Sequence, residues 1–151
     1  MKDIPEAEAR ALFGGPLFCH DAPAWRPHGV TPGLAILESG LVTEDGIRAG
    51  LHIELLFGRS PKTKIVTFKF TVFQLNLRAL QRVYQLHVSA VARRPKNWHD
   101  LAHEHVGDLR VAGDESWLVW GFQDAIDHFC EVTKIAFIPQ LNDPEFFELK
   151  S

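Results

Sequence analysis

The stretch IRAGLHIELLF, residues Ile47 to Phe57, alternates apolar and polar positions along its whole length. The apolar set consists of Ile47, Ala49, Leu51, Ile53, Leu55 and Phe57. The positions between them include Arg48, Gly50, His52 and Glu54. Successive side chains of a β-strand point to opposite faces, so this period of two predicts an antiparallel strand with one buried face.

The neighbouring segments continue the same pattern. Leu34–Thr43 predicts a strand, and Glu44-Asp45-Gly46 predicts the turn of a hairpin, since Asp-Gly is a strong hairpin signal. Further alternation predicts strands at Val66–Val72, Gln81–Val91 and Glu104–Ala112. We therefore expect a mainly antiparallel sheet of about five strands.

The period becomes helical near Gly121, which predicts one principal amphipathic helix over Gly121–Lys134. We expect this helix to cover the apolar face formed by Leu51, Ile53, Leu55, Phe68 and Phe70. Asp3 as a cap and Pro5 in the first turn predict a short N-terminal helix within an irregular segment, residues 1–33. The chain is thus predicted to be one α+β domain, residues 1–151, with its core in residues 34–138.

Bulk composition limits the class of protein. The chain has 151 residues, 46% of them apolar, and a net charge of −3. DNA binding is not expected from this charge, and the sequence shows no export signal or apolar run of membrane-spanning length. Cys19 and Cys130 are the two cysteines, and they suggest reduced thiols rather than a disulfide framework. We expect a cytoplasmic protein with no cofactor and no contact with a membrane.

Three of the eight histidines lie in WHDLAHEHVGD, Trp98 to Asp108. A zinc site would use His99, His103 and His105, because imidazole is a common zinc ligand. In a strand, however, His103 and His105 share a face while His99 lies on the preceding loop. The HExxH and CxxC spacings of common zinc sites are absent. The residues favour a polar turn followed by two strand histidines over a metal site.

The same region contains the residue types of a metal-independent ribonuclease. Such an enzyme needs a general base, a general acid and a cation for the transition-state charge. The candidate catalytic residues are His87, His103, His105 and Arg110. Candidate binding residues are Tyr84, Arg93, Arg94, Lys96 and Trp98, of which the three basic ones would hold phosphate.

An interaction module is the third interpretation of these residues. The chain has four tryptophans, and Trp98 and Trp117 occupy positions where an interface is an alternative to the core. An antiparallel sheet also has edge strands, and two paired edges would form a dimer. Motifs of hydrolases with a nucleophile elbow, of P-loop proteins and of dinucleotide-binding proteins are absent.

The run from Arg82 to Phe137 contains, in order, RVYQLHV, RRPKNWHD, HEHVGDLRV and WGFQDAIDHFCEVTKI. This order resembles small uncharacterised bacterial α+β families, some of which are suspected toxin components of toxin–antitoxin modules. His103, His105 and the helix pattern from Phe122 to Ile135 match it. An Asn-Pro element expected before the histidines is missing, because Asn97 is followed by Trp98. The resemblance implies a partner-bound protein, with RNA as the substrate under the ribonuclease alternative.

We therefore expect a cytoplasmic, non-catalytic protein–protein interaction module that binds a protein partner or a second copy of itself. A toxin-like, metal-independent ribonuclease acting through the strand histidines is the alternative. A zinc-binding protein is the third hypothesis.

Overall fold

The computed structural model describes residues 3–29, 31–76, 79–91 and 95–144. These residues form two α-helices, α1 (Glu6–Leu12) and α2 (Phe122–Thr133). They also form nine strands of one sheet. The strands are β1 (Leu17–His20), β2 (Arg26–Pro27), β3 (Leu34–Val42), β4 (Arg48–Arg59), β5 (Val66–Asn76), β6 (Ala79–Ala90), β7 (Ala102–Val106), β8 (Leu109–Ala112) and β9 (Ile135–Ile138).

The strand order is β8-β7-β6-β5-β4-β3-β1-β9, and β2 pairs with β3 outside this path. Every pairing is antiparallel except that of β1 with β9, which is parallel. Two short 3₁₀ helices, Trp98–Asp100 and Glu115–Val119, precede β7 and α2.

The prediction of a mainly antiparallel sheet of about five strands with one principal helix is wrong. The described residues form a mixed sheet of nine strands and two helices. The N-terminal segment, expected to be irregular apart from its helix, supplies β1 and β2. The single strand expected over Glu104–Ala112 is a hairpin of β7 and β8, and the C-terminal apolar stretch forms β9.

The centre of the sheet follows the alternation of the sequence. In β4, the side chains of Leu51, Ile53, Leu55 and Phe57 are buried on one face. Leu55 lies opposite Phe70 of β5, and Phe70 lies opposite Leu86 of β6. Cross-strand partners share a face of the sheet, so these residues form one continuous apolar layer, the core face. Ile47 departs from the prediction, because it precedes β4 and is 64% exposed.

Helix α2 covers the core face with aromatic side chains. The ring of Phe70 makes edge contacts with Phe122 and Phe129, at centroid distances of 6.1 and 5.8 Å. A fully buried Phe side chain contributes about 2–3 kcal/mol through the apolar area it removes from water. The helix begins after Gly121, whose amide donates to the Asp124 carboxylate at 3.0 Å. It ends at Lys134, which adopts a left-handed conformation with a φ of 63°.

Helix α1 also lies on the core face, where Phe13 at its end meets Tyr84 edge-on at 6.3 Å. Asp3 does not cap this helix, whose N-cap is Pro5 without a side-chain hydrogen bond. Instead, both carboxylate oxygens of Asp3 accept from the Arg82 guanidinium, at 3.0 and 2.7 Å. Neither described α-helix packs on the opposite face of the sheet, which we call the second face. Among the described residues, no helix is long and apolar enough to span a membrane.

The turn between β7 and β8 depends on Gly107. Its φ is +58°, a backbone conformation that residues other than glycine rarely adopt. A Cβ atom here would lie 2.5 Å from the Ile4 carbonyl oxygen. The N-terminal segment is held against this turn, because the Glu6 amide donates to the Asp108 carboxylate at 3.0 Å. A β-strand through residue 107, as predicted from the sequence, is incompatible with this backbone.

We predict that Gly107→Ala lowers the free energy of unfolding by about 2–3 kcal/mol, through backbone strain and the clash with Ile4. The measurement is urea unfolding followed by circular dichroism. Gly46→Ala is the matched control, because Gly46 has a φ of +79° but nothing within 4 Å of the new Cβ. This control should cost about 1 kcal/mol, from backbone strain alone. Equal losses at both positions would show that the Ile4 carbonyl does not constrain the turn.

Candidate histidine site on the second face

The predicted catalytic residues lie side by side on the second face. His87 of β6 is the cross-strand partner of His103 of β7, and their ring centroids are 5.2 Å apart. His105 follows two positions after His103, with a centroid distance of 5.1 Å. Arg110 of β8 lies opposite His105, and Lys69 of β5 lies opposite His87. We call these five residues the histidine cluster.

His103 occupies the middle of the cluster and is only 7% exposed. Its Nδ1 atom is buried and has no hydrogen-bond partner of good geometry. The backbone of Asp100 lies near this ring, because it acts to raise the pKa of His103. His87 and His105 are partly buried beside it.

Hydrogen bonds and ion pairs fix the side chains around the histidine cluster. Arg82 bridges Asp3 and Gln85, and the Gln85 amide donates to the Thr71 hydroxyl at 3.0 Å. Arg110 pairs with Asp100 at 3.2 Å, where both side chains are more than half exposed. Arg82 is therefore committed to a two-oxygen ion pair, whereas the pairing of Arg110 is weak and open to exchange.

The three rings are held in the neutral form. Burial lowers the pKa of His87 to about 4, assisted by His103, Lys69 and Arg110. Burial also lowers the pKa of His105 to about 4, with Arg82 as the next cause. The pKa of His103 is lowered chiefly by burial and by Arg110, which outweigh the opposing effect of Asp100. At neutral pH the cluster therefore presents uncharged imidazoles among cations.

The described residues contain no group of three His, Cys, Asp or Glu side chains arranged to hold a metal ion. His99, one of the three proposed zinc ligands, lies in the 3₁₀ helix Trp98–Asp100, and its ring is tilted by 33° against that of Trp98 at a centroid distance of 3.9 Å. Neither thiol has the character of a reactive nucleophile. Burial raises the pKa of Cys19, and burial together with Asp127 raises that of Cys130 to about 12.

The predicted binding residues are more scattered. Trp98 is partly buried just before β7, and Lys96 is exposed near it. Arg93 and Arg94 lie outside the described residues. Tyr84 is fully buried on the core face, where it cannot meet a ligand bound by the histidines.

Glu104, Tyr84 and His128 form a second polar cluster, which the sequence did not predict. Glu104, between His103 and His105 in sequence, points to the core face and accepts from the Tyr84 hydroxyl at 2.5 Å. The same oxygen lies 2.8 Å from His128 Nε2 of α2, whose ring is in contact with Trp117 and Trp120. Alternation could have revealed this cluster, because it places a carboxylate at a core position that needs partners.

Burial and hydrogen bonding change the pKa values of both Glu104 and Tyr84. Burial alone would raise the pKa of Glu104, but the hydrogen bonds from His128 and Tyr84 lower it below its usual value. Burial raises the pKa of Tyr84 well above its usual value, and the Glu104 charge adds to this. Glu104 is therefore a fixed anion that ties β6 and β7 to α2, which is a structural role.

Comparison with models of protein families, with curated proteins and with solved structures finds no match. The geometry of the site is therefore the basis for inferring a function.

We predict that acid destabilises the protein through the histidine cluster. Unfolded histidines take up protons near pH 6.5, whereas folded His87 and His105 do so only near 4. The contribution of these rings is complete above their unfolded pKa and decreases as the pH falls towards their folded pKa. From pH 7 to about pH 4.5 the loss should be about 2 kcal/mol, less than the full shifts imply because the rings are partly exposed.

Urea unfolding across this pH range is the measurement. The double variant His87→Asn with His105→Asn should lose less stability on acidification than the original protein. His52→Asn is the control, because His52 lies on β4 outside the cluster. A double variant with unchanged acid sensitivity would contradict the low pKa values.

Proposed function

We propose that this protein is a non-catalytic protein–protein interaction module of the cytoplasm, which binds a partner protein or a second copy through the second face of its sheet. The face combines polar groups suited to recognition with apolar side chains suited to burial. Neither described α-helix packs on it, and Leu75 and Leu80 at one end of it are exposed.

The exposed apolar patch on the second face is the observation that carries the proposal. Burial of apolar area is the dominant favourable term in most protein–protein association. Such a patch on a face that no described α-helix covers thus favours a bound state over the free protein.

An apolar patch lies on the same face, near the end of the β5–β6 hairpin. Leu75 and Leu80 are cross-strand partners, and they are 64% and 44% exposed. A pair of adjacent exposed leucines provides apolar area that association would bury. Together with the histidine cluster, it gives the second face both an apolar part and a polar part.

Binding is favoured over catalysis because the pKa values of His87 and His105 do not suit a general acid at neutral pH. A general acid must carry its proton near the working pH. With the pKa values of His87 and His105 lowered to about 4, these rings are neutral at pH 7. Neutral rings can accept and donate hydrogen bonds in a complex without any titration.

We predict that a photo-crosslinking amino acid at position 69 captures one defined protein in cells that make this protein naturally. Lys69 lies on the second face beside His87, so a bound partner comes within reach of the probe. The products are separated by mass, and light scattering on the purified protein shows whether the partner is a second copy.

The same probe at position 131 is the control, because Glu131 is exposed on α2 and faces away from the second face. A product formed at 69 and not at 131 supports the proposal. A monomeric protein that yields no product from position 69 would contradict it.

A toxin-like ribonuclease is the second candidate. Its support is the convergence of His87, His103 and His105 with Arg110 on one face, and the resemblance to suspected toxin families points in the same direction. A bound phosphate would have to raise the pKa of one ring enough to make it a general acid.

This candidate predicts cleavage of single-stranded RNA in the presence of EDTA. His105→Ala should slow the reaction by about a hundredfold or more, since a positioned proton-transfer group contributes that much. His52→Ala, on the same face but away from the cluster, should leave the rate unchanged. An absence of cleavage, or cleavage that His105→Ala does not slow, would exclude this candidate.

A further inference from the structure

We infer that the histidine cluster recognises an acidic segment of the partner protein, whose Asp or Glu carboxylates contact Lys69, Arg110 and the imidazoles of His87, His103 and His105. The inference rests on the proposed function and specifies the chemistry of the partner.

The charges around the cluster support an anionic ligand. Lys69 forms no ion pair with any described residue, so its ammonium is available. Within the described part of the chain, Arg110 is held by the exposed ion pair with Asp100, which an incoming carboxylate can replace at little cost. These two cations lie on opposite sides of the imidazoles, on β5 and β8, with His87, His103 and His105 between them. The cluster is therefore a strip of donors that spans four neighbouring strands.

The donors suit several separate oxygens better than one compact group. Successive ring centroids are 5.2 and 5.1 Å apart, so the three imidazoles extend across two strands and along one of them. A peptide with neighbouring acidic residues presents carboxylates at comparable spacings. Two basic side chains already show that carboxylates fit here, because Arg82 binds Asp3 and Arg110 binds Asp100.

A protein partner is favoured over nucleic acid by the overall charge. The chain carries a net charge of −3, which repels a long polyanion outside the small basic strip. A short acidic segment gains the attraction of the strip without this long-range repulsion. RNA binding is the alternative outcome of the test.

Binding of carboxylates should be coupled to proton uptake. The groups that face the rings are cationic on β5, β6 and β8, and anionic at the rim. They are Lys69, Arg82, Arg110, Asp3 and Asp100. Bound carboxylates add negative charge where cations dominate, so the rings accept protons more readily in the complex than in the free protein. The affinity should then increase as the pH falls, because protonated rings bind carboxylates more strongly.

The test uses the full chain labelled with ¹⁵N and follows its imidazole nitrogens by NMR. The probe is an oligo-aspartate peptide, and an oligo-asparagine peptide of the same length is its neutral control. We expect the aspartate peptide to shift the resonances of the three cluster histidines, with the other five histidines of the chain as internal references. Its dissociation constant should be about tenfold lower at pH 5.5 than at pH 7.5, as an average uptake of about half a proton over this range would produce.

Variants test whether the named cations carry the affinity. Lys69→Gln and Arg110→Gln should each weaken peptide binding severalfold. Lys62→Gln, in the exposed turn between β4 and β5, should leave it unchanged. The inference is overturned if the aspartate peptide causes no response, if the asparagine peptide binds equally well, or if the two variants bind normally.

A single-stranded RNA oligonucleotide forms the last arm of the experiment. If it binds to the same rings more tightly than the aspartate peptide, the inference fails and the ribonuclease candidate gains support. The photo-crosslink from position 69 separates this inference from the proposed function. A crosslinked partner without a peptide response refutes the acidic recognition alone, whereas a missing partner refutes the interaction module.

Discussion

The packing of Phe70 against Phe122 and Phe129 is the contact on which the rest of the structure depends. This contact fixes which face of β5 is buried. Because cross-strand partners share a face, the registers of β5 with β4 and β6 then determine which faces of those strands are buried. A shift of one residue would exchange every side chain between the two faces. The histidines lie on the second face because these aromatic rings occupy the first.

Strand β7 shows how closely the two faces are coupled. His103 and His105 belong to the second face, while Glu104 between them binds Tyr84 and His128 in the core. A partly buried anion with two hydrogen-bond partners holds the strand in one register, since any slip would leave the carboxylate unpaired. The hydrogen bonds of Glu104 thus determine where the imidazoles lie, although Glu104 is on the other face of the strand.

The sequence predicts the long central strands and α2 well, because their apolar periods are uninterrupted over many residues. Residues Ile53 to Phe57 and Phe122 to Phe129 illustrate this. It predicts the ends of the sheet poorly. Strands β1 and β9 are four residues each and are stabilised by a partner more than a hundred positions away, which no local pattern reveals. The β7–β8 turn is hard to predict because it consists of only Gly107 and Asp108, with strand-like residues on both sides.

Part of the candidate site can also be predicted from the alternation of residues along a strand. Alternation alone places His103 and His105 on one face, but the pairing of His87 with His103 requires the register of β6 and β7. The lowered pKa values depend on burial and on cations from three strands, and the sequence contains no sign of them. The interaction of Glu104 with His128 joins a strand to a helix, so it becomes visible only in three dimensions.

The parallel pairing of β1 with β9 affects how the chain acquires its structure during synthesis. Leu17 leaves the ribosome more than a hundred residues before its partner Ile135. Until then one side of β1 has unsatisfied backbone groups, and the hairpins of β3 to β6 must persist without a complete sheet. The nascent chain therefore exposes a strand edge until β9 has been translated, when unwanted pairing with other chains is most damaging.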